Sequence, residues 1–419
     1  MRLELTLYLI IVFYETNLFD MKSLYLFFSL IFLSTASYCQ NSQSQFIDML
    51  DGRFDASNYL SENAYGFLPV PIIITDPAVE GGLGMMGLFF HETEAEKEKR
   101  LAAMKKADSG AARHLLPPSV SVGAVAATGN KSWFAGGGHM GFFKQGSIRY
   151  LGGAGYGDVN LDFFGSGDTK LPRSIELNTK ASGIFQTLKF KLASSNFFLG
   201  ASQRYVNAQI TPRFNGDLNN VLPPKFVDAV KELFPANITT SAFGINLEFD
   251  NRDNVFSPTQ GYQYSLEQLW YRESFGSDID YELVSFKGLN YWPLSQHWRA
   301  GLRLNSEYAD SENILPPFAT PSIKLRGIPA MRYQGNFVGV AETELSWLMD
   351  SRWSVVGFIG AGRASNSSRT FTDASTQTTQ GLGFRYHIAR RYGFDMGIDI
   401  ARGPDDTIWY ITAGSAWGR

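Results

Sequence analysis

From Ala242 to Asp250 the chain alternates with a period of two. Phe243, Ile245, Leu247 and Phe249 fall on one face, and Ala242, Gly244, Asn246, Glu248 and Asp250 on the other. An α-helix would spread these residues around its circumference, whereas a β-strand sends successive side chains to opposite faces. The pattern recurs. Trp298, Ala300, Leu302, Leu304 and Tyr308 oppose Arg299, Arg303, Asn305 and Glu307, and Phe394, Met396, Ile398 and Ile400 oppose Asp395 and Asp399. About sixteen such segments can be traced from Gly66 onward, the first near 67–75 and the last near 407–417. The chain is therefore expected to be all-β.

A soluble sandwich alternates too, so the surroundings of the apolar residues must decide. The polar faces here carry glycine and charges of both signs, as a polar lumen would. The apolar faces often begin or end in Trp or Tyr, as interfacial girdles do. Charged residues make up only 18% of the chain while aromatics reach 14%, and there are 41 glycines; few charges and many aromatics suit a sheet with much apolar surface. Connections alternate in length. SSN, PLSQ, MDSR and ARR are tight, whereas those near 158–176, 211–238, 309–335 and 364–378 are long. Short periplasmic turns and long external loops are the asymmetry of bacterial transmembrane barrels, whose strand number is even. The expected fold is a transmembrane antiparallel β-barrel of about sixteen strands. Both chain ends would lie on the periplasmic side.

The segment from Met21 has Lys22, an apolar stretch to Leu33 and small residues at Ser34–Ser37, which reads as a secretory signal peptide. Residues 1–20 carry acids at both ends and read as an upstream extension, with translation starting at Met21. The expected division is 1–39 extension plus signal, 40–66 a short periplasmic segment, and 67–419 the barrel. Cleavage after Cys39 would remove the single cysteine and with it any disulfide. A net charge of −3 without a basic stripe gives no reason to expect nucleic-acid binding. Five histidines lack ligand-like spacing, so no metal or other cofactor is expected. The charged stretch 91–117 and the apolar stripe Phe226, Val230, Leu233 and Phe234 suggest short helices inside loops.

Three stretches carry a resemblance. DGRFDASNYL leads through GFLPVPIIITDPAVEGGLG into the first hairpin. FDNRDNVFSPTQGYQY places Arg252–Asp253 in a turn before Pro258 and Gly261. LRGIP is followed by NFVGVAETELSW and WSVVGFIGAGRA. In this order they resemble the BamA/TamA family of outer-membrane proteins, also called bacterial surface antigens, across 67–419. The resemblance implies a sixteen-stranded barrel whose sixth external loop folds into the lumen. The tip of that loop would be Leu325, Arg326, Gly327 and Ile328. The arginine would pair with Glu344 or Glu342, two lumen-facing acids of the next strand. A guanidinium fork suits carboxylates, and glycine suits a tight tip.

Two departures stand out. Gly360 replaces an acid that many members carry, and the chain ends AWGR rather than on its aromatic, Trp417. Residues 40–66 are also too few for a POTRA module, and no GxSxG nucleophile elbow is found. The resemblance implies insertion or translocation of protein or lipid at the bacterial outer membrane. The partners would be outer-membrane lipid and unfolded outer-membrane protein or lipid clients, with the barrel a monomer. A passive channel or structural barrel is the alternative. An enzyme using Ser132 and His139 is weighed and not favoured, so no catalytic residue is expected.

Overall fold

The computed structural model describes residues 46–48, 50–57, 59, 67–91, 119–166, 169–213 and 237–417. The expectations for the upstream extension, the signal peptide and the helices within 91–117 and 214–236 fall largely or wholly outside these residues. The chain divides into two units, Met1–Asn58 and Tyr59–Arg419. In the first, Ile47 and Phe54 form an antiparallel bridge and the rings of Phe46 and Phe54 stack at 5.7 Å.

The second unit holds sixteen strands. They are β1 (Phe67–Ile74), β2 (Gly82–His91), β3 (Ser119–Thr128), β4 (Trp133–Phe143), β5 (Ile148–Ser166), β6 (Thr169–Lys191), β7 (Phe197–Arg213) and β8 (Asn237–Asp250). Then follow β9 (Gly261–Tyr271), β10 (Tyr281–Pro293), β11 (Trp298–Asp310), β12 (Phe337–Leu348), β13 (Trp353–Ser365), β14 (Gln377–Ala389), β15 (Phe394–Arg402) and β16 (Thr407–Ala413). Each pairs antiparallel with its sequence neighbours in one sheet ordered β1 to β16. Every expected strand is present.

The period of two becomes two environments. On β8 the residues Ala242, Asn246 and Glu248 are buried, while Phe243 and Ile245 stand exposed. On β13 and β14, Ile359 and Leu382 are 60% and 68% exposed. Apolar side chains so open to the outside around a whole sheet need a non-aqueous surround, which lipid supplies. Register fixes the height of this surface. On β12, Trp347 stacks with Trp298 at 6.3 Å, and ten residues away, Phe337 packs on Tyr308 at 5.9 Å. Ten rises of about 3.3 Å at a tilt near 40° give roughly 25 Å between these aromatic bands, the height of a barrel's apolar belt. We call the short-turn end periplasmic and the other external.

Two expected boundaries differ. The long loop placed at 158–176 is largely strand: β5 runs to Ser166 and β6 starts at Thr169, with a bulge between Phe163 and Gly165. Their inward residues Phe163 and Leu177 join Ala208, Ile210 and Ile238 in a buried cluster against Phe318. Tertiary packing thus extends strands that lack a strong local pattern. The last strand was expected to reach 417 but ends at Ala413. Gly414, at φ +75°, turns the chain off the wall.

Candidate functional site: the loop in the lumen

Residues 311–336 connect β11 to β12 as the sixth external loop. Its two limbs hold each other through the Ser322–Gln334 bridge, with Ile323 N–H donating to Tyr333 O at 2.9 Å and Gly335 N–H to Pro321 O at 3.1 Å. The amide of Gln334 donates to Pro317 O at 2.6 Å and ties the limbs to the loop's base. At the tip, Gly327 sits at φ +92°, a region costly for residues with a Cβ. A side chain there would also meet Gly403 N at 2.9 Å. Leu325 and Ile328 are buried with Ile323, Val338 and Val340. The apolar residues around the arginine are thus the packing surface of an inserted loop.

Arg326 is 6% exposed. Its Nε and Nη2 donate to Glu342 Oε1 at 3.0 and 2.7 Å, Nη2 also to Glu344 Oε2 at 3.0 Å, and Nη1 to Asp399 Oδ2 at 2.8 Å. The guanidinium lies 3.5 Å from the ring centre of Phe358. Arg385 shares Asp399, donating through Nη1 at 2.5 Å and Nη2 at 3.0 Å. Both expected acids therefore contact Arg326. A third, Asp399 on β15, lies 73 residues from it and was not foreseen. Only its parity with Asp395 and its place opposite the apolar face hinted at a lumen position.

Gly360 acquires a role here. A Cβ at this position would lie 2.8 Å from Leu325 Cδ2, and one at Gly362 would lie 2.9 Å from Ile323 Cγ2. The glycines open the wall for the loop's apolar residues, while the acid comes from β15 instead. Trp417 enters the same cluster from the other end. Its Nε1 donates to Glu342 Oε1 at 2.5 Å, and its ring fills the space that a side chain at Gly301 would occupy at 2.7 Å. The tail is held by Gly414 N–H to Asp395 O (2.7 Å), Ser415 N–H to Phe256 O (2.6 Å) and Lys287 Nζ to Trp417 O (3.0 Å).

Toward the external end, Arg332 Nε and the Tyr333 hydroxyl donate to Asp405 Oδ2 at 3.0 and 2.7 Å. The Tyr333 hydrogen bond, helped by Arg332, holds the Asp405 carboxyl below the usual carboxylate range. The loop also reaches both edges of the sheet. Gly327 N–H donates to the Tyr410 hydroxyl of β16 at 2.9 Å, and Ala330 N–H to Asp76 Oδ2, just past β1, at 3.2 Å.

The second motif shapes a periplasmic turn. Asp253 Oδ1 accepts from Thr259 N–H at 2.8 Å, and Asn254 Nδ2 donates to Tyr392 O at 2.9 Å. The weighed Ser132–His139 pair does not form. The Ser132 hydroxyl donates to Asn130 Oδ1 at 2.6 Å, while His139 Nδ1 meets Ser121 Oγ at 2.9 Å on another strand.

The described chain has the fold of known outer-membrane barrels. It is similar to a crystal structure of BamA from Haemophilus ducreyi lacking POTRA domains 1–3, with a TM-score of 0.52 and 12% identity over 89% of this chain and 81% of that one. It is also similar to CdiB from Escherichia coli, with a TM-score of 0.51 and 12% identity over 83% of this chain. The match spans 62% of CdiB, less than two thirds of its length. No protein-family model and no curated protein matches the chain. At this identity the likeness is one of fold, a BamA-like sixteen-stranded barrel with its sixth external loop turned inward.

Proposed function

We propose that this BamA-like barrel resides in the bacterial outer membrane and inserts or translocates protein or lipid there, without catalysing a reaction. The seam carries the reading. Fifteen ladders join the strands in order, and among the described residues β1 and β16 form none with each other. Separating one of these fifteen pairs would break a row of hydrogen bonds, each contributing about 0.5–1.5 kcal/mol. Two features of the edge strands limit such a row at the seam. Pro69 and Pro71 in β1 have no backbone N–H to contribute to one, and β16 is only seven residues long. Loop 6, bonded to Tyr410 on one side and Asp76 on the other, is placed to clasp the two edges.

A passive pore fits less well, because loop 6 and Trp417 occupy the lumen beside β10–β15. At His139 the described residues form no serine–histidine–acid triad. Ser121 lies between the imidazoles of His91 and His139, and no carboxylate hydrogen-bonds either ring among the described residues. In such a triad the acid orients the base that activates the serine. Clients would be unfolded outer-membrane proteins or lipids that meet a monomeric barrel at its seam. Depleting the protein and comparing outer-membrane protein and lipid content tests this. A selective loss of particular proteins or lipids is expected. Unchanged profiles after full depletion would overturn the reading.

A further inference from the structure

The lipid-facing surface of β11–β15 contains a crevice of about 660 Å³. Its origin is in the register. Ala341, Ala361 and Thr378 are paired in a row across β12, β13 and β14, so three short side chains follow one another on the outside. The next row reads Thr343, Ile359, Gln380 and Arg402, where four donor-bearing or bulky groups edge the depression. Farther along the same strands this face carries Leu345, Trp347, Val355, Leu382 and Phe384.

The Thr343 hydroxyl donates to Gly301 O at 3.0 Å, but the outward polar groups beside it are less engaged. The Thr378 hydroxyl and the Gln380 amide make no side-chain hydrogen bond among the described residues. Arg402 Nη1 donates to Thr407 Oγ1 at 3.1 Å, but no carboxylate lies within ion-pair distance of it among those residues. The nearby acid, Asp405, is already engaged by Arg332 and Tyr333. Donors and a cation on a lipid-covered face find no acceptor in hydrocarbon. Arg402 closes β15 at its external end, where a headgroup would lie.

The geometry points to a seat for one anionic, phosphate-bearing lipid of the outer leaflet. Its phosphate is held by Arg402 with Gln380 and Thr378. An acyl chain lies over Ala341 and Ala361 against Ile359. A guanidinium–phosphate contact is charge-assisted and supplies the preference for a negative headgroup, while the small residues supply the shape.

Native mass spectrometry of the full chain tests this, using phosphatidylglycerol and phosphatidylcholine with identical acyl chains. The wild type should retain one phosphatidylglycerol with about tenfold preference, the range of one charge-assisted contact. Arg402→Gln should abolish that preference while leaving the barrel's heat-modifiable migration intact, since Arg402 is exposed. Ala361→Leu, which fills the groove but keeps the cation, should reduce retention of both lipids. Excess inorganic phosphate should leave the adduct in place. Equal retention of the two lipids by the wild type, an unchanged preference in Arg402→Gln, or displacement by inorganic phosphate would each overturn the proposal.

Discussion

Arg326 brings together groups that are far apart in the chain. Its one cation, with Arg385, faces three carboxylates in a site closed to water on the loop side by Leu325 and Ile328. Removing one member of a buried charge cluster leaves the others uncompensated, a loss of about 3–5 kcal/mol. Arg326→Ala is expected to lower the temperature at which the folded, fast-migrating form is lost on a semi-native gel and to expose loop 6 to protease on intact cells. Arg326→Lys should fall between, because an ammonium is a point charge without a fork and stacks less well on Phe358. A wild-type melting point and protease pattern in Arg326→Ala would refute this placement. At this scale the sequence showed the arginine, its apolar neighbours and the parity of Glu342 and Glu344. Asp399 escaped because parity says which face a residue takes, not which distant strand curves back to meet it. Gly360 misled for a related reason: it vacates space for Leu325, and only the packed loop shows that the space is used.

Among the elements, β16 and its tail are the informative pair. The alternation TIWYITA continues toward Trp417, which invites a longer strand, but Gly414 turns the chain inward at φ +75° and places Trp417 on Glu342. Gly414→Val puts a branched side chain in the left-handed region and a Cβ within 2.8 Å of Phe256 O; strain of about 1–3 kcal/mol is expected. Trp417→Phe keeps a ring over Gly301 but deletes the indole N–H, a hydrogen bond to a charged group contributing about 1.5–3 kcal/mol. If the turn serves to deliver Trp417, the double variant should be destabilised by less than the two single effects added together. Full additivity in melting experiments would show that the tail contact does not depend on the turn. Strand positions along most of the wall were readable, since ten residues of strict alternation suit a strand and no helix. The outward extension of β5 and β6 was not, because beyond the lipid belt the pattern weakens and burial against Phe318 takes over.

For the whole molecule, the wall and its contents have separate roles. Loop 6 lies inside, held by the Arg326 cluster below and the Asp405 contacts above, so the lumen is obstructed by a segment that is no part of the wall. Replacing residues 314–333 with a short Gly-Ser turn should convert a weakly conducting protein into one with severalfold larger, steadier single-channel conductance in planar bilayers. The belt and ladders are untouched by that excision, so refolding into detergent should survive it. Conductance unchanged by the excision would mean that the obstruction lies elsewhere.

What the sequence determined by itself was the wall: a two-residue period and an apolar face long enough for a bilayer leave little choice but an antiparallel barrel. The motif around LRGIP added, by resemblance, that a loop turns inward. The tertiary structure decided how that loop is held, why Gly360 is a glycine, where Trp417 goes and that β1 and β16 form no ladder with each other among the described residues. Strand periodicity is written in neighbouring residues, each answering to the same two environments. Lumen contacts join residues separated by tens of positions, and their partners are chosen by the curvature of the sheet.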